Sequence, residues 1–158
     1  RWNKLGAGIT VSGATVVVVD RDQASGEATA GIIRQQGGKS LFTAADVTKS
    51  ADVQAYVKAT VDAYGAIDCF YNNAGIEGSV APTAEYDEDM FDRVMAVNVT
   101  ANWRLIRSLD PLLRLSDAGR AIFMTSGAGR RIIPYWSAYA ASKAAVSGLN
   151  VIPRFGRP

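Results

Sequence analysis

Three features of the chain predict a parallel β-sheet doubly wound with α-helices. Short β-branched apolar runs alternate with segments of helical length and periodicity, the runs end on polar or turn-forming residues, and no repeat, low-complexity tract or linker interrupts the alternation. Strands that are apolar almost throughout belong between two layers of helices, and sheets built this way gather their ligand groups at the carboxyl ends of the strands. The 158 residues fit one domain, and a hydrophobic content of 48% is sufficient for a core.

The first strand is expected over residues 14–20, where four valines run into Asp20. A helix follows over residues 23–36, ended by Gly37-Gly38, since glycine is favoured just past a helix. The second strand covers residues 41–45. Asp46-Val47-Thr48-Lys49-Ser50 then leads into a helix over residues 51–64, with Val53, Val57 and Val61 on one face and Gly65 beyond its end. Residues 67–71 form the next strand, in which Cys69 is expected as a small buried core residue. After a loop over residues 78–82, residues 86–98 and 101–115 read as helices, the second broken or kinked at Pro111. Residues 121–125 form the last strand, with Ser126 at its carboxyl end, and residues 139–150 the last helix.

That last helix carries the chemistry. In Tyr139-Ala140-Ala141-Ser142-Lys143, tyrosine and lysine stand four positions apart and share a helix face. A phenol ordinarily titrates near pH ~10, and a base working near neutrality must release its proton roughly three pH units lower, about 4 kcal/mol. A neighbouring ammonium supplies stabilisation of that kind. The hydroxyl of Ser126, thirteen residues upstream, is of a type to hydrogen-bond a substrate carbonyl or alcohol while the tyrosine exchanges its proton. The set points to hydride-transfer chemistry. A Tyr-x-x-x-Lys pair alone would also fit a solvated helix face.

With these residues the chain resembles the short-chain dehydrogenase/reductase family, whose signature is a serine followed by Tyr-x-x-x-Lys on a nucleotide-binding sheet. The resemblance runs from about residue 13 to about residue 149. It implies an incomplete Rossmann-like fold, with Tyr139 as general acid/base, Lys143 assisting it and holding the nicotinamide ribose, and Ser126 orienting the substrate oxygen. Asn98, in Val97-Asn98-Val99-Thr100, matches the asparagine that helps hold a proton-relay water. Asp20, followed by Arg21, matches the acidic residue that binds a ribose diol. Asp46-Val47 matches a pair that touches adenine, and Asn73 lies inside Asn72-Asn73-Ala74-Gly75, which matches a turn whose small residues let backbone approach the cofactor. Taken singly, each aspartate reads equally as a cap or turn former, and Asn-Ala-Gly as an ordinary turn. Asp20, Asp46, Asn73, Asn98, Ser126 and Tyr139 in register favour the family reading. The cofactor implied is NAD rather than NADP, because a carboxylate at position 20 repels a 2′-phosphate, an effect that Arg21 partly offsets. The implied substrate is a small-molecule alcohol or ketone, and the implied assembly is a homodimer or homotetramer.

The chain departs from the family at both ends. No Thr-Gly-x-x-x-Gly-x-Gly phosphate loop is found, and Gly6-Ala7-Gly8 lies too close to Asp20 to replace it. The family's first strand, normally central, and its last two strands are expected to be missing. The isolated chain is therefore expected to bind cofactor weakly and to show low or absent activity. The alternative is a non-catalytic remnant of the fold acting as a binding or interaction domain. A flavodoxin-like or response-regulator-like domain shares the parallel α/β pattern but leaves Ser126, Tyr139 and Lys143 unexplained.

Composition excludes other classes. Without histidine there is no Ser-His-Asp hydrolase and no histidine metal site, and a single cysteine makes neither a disulfide nor a cysteine zinc cluster. Ser126 lacks the Gly-x-Ser-x-Gly spacing of a nucleophile elbow. Net charge is +2, and the local basic spots, Arg130-Arg131, Arg154 and Arg157, lack the interleaved aromatics of a nucleic-acid platform. No run approaches the ~20 apolar residues of a membrane span, so a cytoplasmic protein without membrane or nucleic-acid partners is expected. Residues 130–136, with Ile132, Ile133, Pro134, Tyr135 and Trp136, are expected to border the substrate pocket by their position between Ser126 and Tyr139; their aromatic and aliphatic content suits a cyclic or apolar secondary alcohol or ketone, and core packing explains the same residues equally well.

Overall fold

The computed structural model describes residues 13–131 and 133–149. Gly6, Gly8, Ile132, Asn150, Arg154 and Arg157 lie outside the described residues. The chain divides into two compact units, one ending at Ala63 and the other beginning at Tyr64.

In the first unit, β1 (Val16–Asp20) and β2 (Ser40–Ala44) pair in parallel, in register from Val16 opposite Ser40 to Asp20 opposite Ala44. They are joined through α1 (Gln23–Gln35) and followed by α2 (Ser50–Tyr64). Asp22 caps α1 by accepting the Ser25 amide at 2.7 Å, which satisfies one of the donors a helix leaves free at its start. The helix ends at Gly37, whose φ of +81° suits glycine, and the Gly38 amide closes back on the Ile33 carbonyl at 3.0 Å. Gly26 lets α1 approach β2: a Cβ at this position would stand 2.1 Å from the Phe42 ring. Ala30, Ile33, Ala45, Val53, Tyr56 and Val57 are buried, and Val61, expected on the same face as Val53 and Val57, is half-buried near the end of α2. The four valines of β1 are half-buried, not enclosed as the sequence predicts, because β1 pairs on one side only among the described residues.

In the second unit, β3 (Cys69–Asn72) pairs in parallel with β4 (Arg120–Phe123), Asn72 opposite Phe123. The helix α3 (Glu88–Met95), capped by the Asp87 carboxylate on the Met90 amide at 2.7 Å, runs through a π-helical turn (Ala96–Thr100) into α4 (Ala101–Leu113). Along α4, Ala101, Leu105, Leu109 and Leu113 recur every fourth residue and are buried, one apolar stripe facing the core. A 3₁₀ turn (Gly127–Gly129) precedes α5 (Ser137–Leu149).

Two expectations are corrected here. Pro111 does not break its helix, which continues to Leu113; the Arg114 amide still reaches the Asp110 carbonyl at 3.1 Å, so the missing proline N–H is absorbed in the last turn. Cys69 is exposed, not a core residue: it opens β3, where the strand is least covered, although partial burial still raises its thiol pKa. The architecture is an incomplete Rossmann-like α/β fold, with two two-stranded parallel ladders among the described residues where a complete fold has one continuous sheet.

Candidate active site

The second unit gathers five of the expected residues, Asn73, Gly75, Asn98, Tyr139 and Lys143, around the carboxyl ends of β3 and β4. Asn98 falls in the π turn, the one part of the α3–α4 run where the i→i+4 pattern relaxes and the Ala101 amide reaches back five residues to the Ala96 carbonyl. Its side chain is fully buried and fully used. Oδ1 accepts the Ile76 amide at 2.9 Å, while Nδ2 donates to the Ile76 carbonyl at 2.8 Å and to Ser142 Oγ at 2.9 Å. Asn98 thus clamps the backbone just after Asn73-Ala74-Gly75. The Asn98 carbonyl accepts the side-chain amide of Asn102, whose Oδ1 in turn accepts Asn72 Nδ2. Asn72 Oδ1 takes the Ala74 amide at 3.2 Å, so a ladder of amides ties the turn after β3 to the π turn.

On α5, Tyr139 and Lys143 share a face. Lys143 Nζ lies 5.6 Å from the centre of the Tyr139 ring and donates to the Met124 carbonyl at 2.8 Å. Lys143 is only 6% exposed, and burial lowers its pKa. Trp136 meets the Tyr139 ring edge-on, with centroids 5.3 Å apart. A cavity of about 190 Å³ is lined by Asn73, Gly75, Ile76, Glu77, Met124, Thr125, Tyr139 and Lys143. Gly75 keeps it open, since a Cβ there would stand 3.2 Å from Asn98 Oδ1 and 3.5 Å from Lys143 Nζ.

Ser126 does not line that cavity. It follows β4 by three residues and opens the 3₁₀ turn, where Oγ accepts the Ala128 amide at 3.2 Å and its own proton has no acceptor among the described residues. Ala74 is half-buried within the turn. The remaining candidates are in the first unit. Asp20 ends β1 with Oδ1 on the Asp22 amide at 2.9 Å, and Arg21 beside it is exposed. Asp46 accepts the Thr48 hydroxyl at 2.7 Å and the Thr48 amide at 2.9 Å, bonds that lower its carboxyl pKa. Its side chain shapes the turn into α2, and Val47 is half-buried there.

Sequence reasoning missed Ser142, Asn102, Gly129 and Glu77. Ser142 and Asn102 stood three residues after Tyr139 and four after Asn98, the spacings at which helical side chains meet. Gly129 had no such signal: it presses the 3₁₀ turn against α5, where a Cβ would lie 2.8 Å from the Ala144 amide nitrogen.

Known proteins are similar to this chain in sequence and fold. Levodione reductase of Leifsonia aquatica is 34% identical over 153 residues, covering 94% of this chain and 57% of its own length. A solved levodione reductase structure superposes with a TM-score of 0.89 at 33% identity, over 93% of this chain and 58% of the other. NAD⁺-bound xylitol dehydrogenase matches with a TM-score of 0.82 at 30% identity, over 85% and 52%. A short chain dehydrogenase of Escherichia coli CFT073 complexed with NADPH gives 0.80 at 35%, over 86% and 58%. The chain spans about half the length of the curated relatives it matches. The profile described as short chain dehydrogenase matches residues 6–151, and the chain belongs to that family.

Proposed function

We propose that the protein is an oxidoreductase that interconverts a secondary alcohol and a ketone with a nicotinamide dinucleotide, NAD in preference to NADP. The observation that carries this reading is Lys143: a lysine this buried, with no ion pair among the described residues, is a burden on the fold, and its position beside Tyr139 on a cavity wall supplies a reason for keeping it. The residues suit the cofactor. Lys143 spends one of its three N–H groups on Met124 and has two left for ribose hydroxyls, Asn73 adds an amide, and Gly75 leaves backbone bare. When bound, the nicotinamide accepts or supplies the hydride.

Tyr139 takes the hydroxyl proton in oxidation and returns it to the carbonyl oxygen in reduction. The Lys143 ammonium stands beside the ring that exchanges the proton, Ser126 donates its hydroxyl proton to the substrate oxygen, and Asn98 holds the loop through Ile76. Asp20, with one carboxylate oxygen unpartnered among the described residues, receives ribose hydroxyls and disfavours a 2′-phosphate. Asp46-Val47 borders the adenine. The substrate is a cyclic or apolar alcohol or ketone, and the exposed Phe91 and Trp103 on α3 and α4 suit assembly as a homodimer or homotetramer.

Tyr139→Phe removes only the transferable proton, so turnover of a cyclic secondary alcohol should fall at least ~100-fold while NADH binding, followed by nicotinamide fluorescence, stays within a factor of about two. Surviving turnover would dismiss Tyr139 as acid/base. Asp20→Ala should lower the preference for NADH over NADPH about tenfold in the same titration; an unchanged ratio removes Asp20 from cofactor choice.

A further inference from the structure

Ser142 stands between two parts of the candidate site that no backbone bond joins. Its side chain is fully buried; Oγ accepts from Asn98 Nδ2 at 2.9 Å and donates to the Tyr139 carbonyl at 2.7 Å. A hydroxyl has one proton, so the direction of the chain is fixed: Asn98 donates to Ser142, and Ser142 donates to Tyr139. Asn98 is itself immobilised by the two bonds to Ile76. Tyr139 lies in the first turn of α5, where helices fray and carbonyls are least constrained. A fully buried serine in a helix could be mere packing, and alanine would serve that purpose better.

We propose that Ser142 is a positioning residue: by tying the Tyr139 carbonyl to Asn98 in the π turn, it holds the first turn of α5 so that the phenol stays in phase with Lys143 and the cavity. This inference rests on the proposed role of Tyr139. The hydroxyl does not touch substrate or cofactor; it transmits the rigidity of the Asn98 clamp to the residue that moves the proton. Catalytic geometry tolerates little displacement, so the loss should appear in the chemical step and not in ligand affinity.

The test compares Ser142→Ala and Ser142→Cys with the parent chain. The link predicts amide exchange about tenfold faster at residues 139–143 in Ser142→Ala, with α4 unchanged, and an intermediate effect in Ser142→Cys, whose thiol is a weak donor of similar size. It also predicts a kcat about tenfold lower, with KM and NADH affinity within about twofold. Unchanged exchange at Tyr139 overturns the link, and faster exchange with unchanged kcat overturns its catalytic purpose. If instead Tyr139→Phe keeps its turnover, the reading of Tyr139 fails, while the exchange data still decide whether Ser142 anchors that turn. The same exchange comparison decides the link in a chain without turnover.

Discussion

At the residue scale, Lys143 sets the balance between stability and chemistry. Its ammonium is drawn out of water with one carbonyl partner, and burial lowers its pKa. In the unfolded chain the same group keeps its proton up to about pH 10.4. Below the folded value both states carry the charge and the whole burial penalty weighs on the fold. Between the folded value and ~10.4 the unfolded state holds the extra proton, so rising pH relieves the penalty. Lys143→Met keeps the length of the side chain without the charge. Its melting temperature at pH 7 should equal or exceed that of the parent by roughly 2–4 °C, and the gap should close as pH rises towards ~10.4. A gap independent of pH would mean that charge burial is not its cause. The pairing of Tyr139 with Lys143 was readable from a four-residue spacing, because an α-helix puts such residues on one face. The burial of Lys143 was not, since it depends on Met124 and Gly75, brought in from other elements.

At the scale of elements, the helices were readable to within one or two residues where a cap was explicit, as at Asp22 and Gly37. The π turn was not readable. Its sequence, Ala-Val-Asn-Val-Thr, carries nothing against an ordinary helix, and its register is set by the amides of Asn72 and Asn102 and by the bonds of Asn98 to Ile76. Ser126 shows the converse: its place just beyond a strand was expected, but β4 ends at Phe123, so the serine belongs to the 3₁₀ turn. That turn depends on Gly129. An added Cβ would meet the Ala144 nitrogen and the Lys143 carbonyl carbon at 2.8 Å and the Lys143 oxygen at 3.0 Å, all backbone atoms that cannot rotate aside. Gly129→Ala should therefore cost about 1–3 kcal/mol in denaturant unfolding, as overpacking does. Gly127→Ala, two residues earlier and with nothing within 4 Å, should be nearly neutral. Equal effects at the two positions would show that helix contact is not what selects glycine at 129.

At the scale of the molecule, the two units differ in how much they enclose. Among the described residues, the first unit holds Ile33 and Val53 as fully buried large side chains; the second holds Val94, Leu105, Leu109, Leu113 and Val146, with Asn98 and Ser142 beside them. Each unit has a two-stranded ladder, and two strands are marginal in water without helices packed against them. The alternation of strands and helices was readable because apolar periodicity is local. The extent of enclosure was not, because the valines of β1 read alike whether a strand has one neighbour or two. Enclosure decides local stability: backbone bonds over a continuous apolar stripe open only when that stripe is exposed. Native-state amide exchange should therefore be slowest in α4, along Leu105, Leu109 and Leu113, and at least about tenfold faster in β1 and β2, where no side chain is fully buried. Equal protection in α4 and β1 would mean that the chain opens as one cooperative unit and that the clamp around Asn98 draws its rigidity from the whole fold. The expected gradient would place that rigidity in the second unit, where Tyr139, Lys143 and Ser142 also lie.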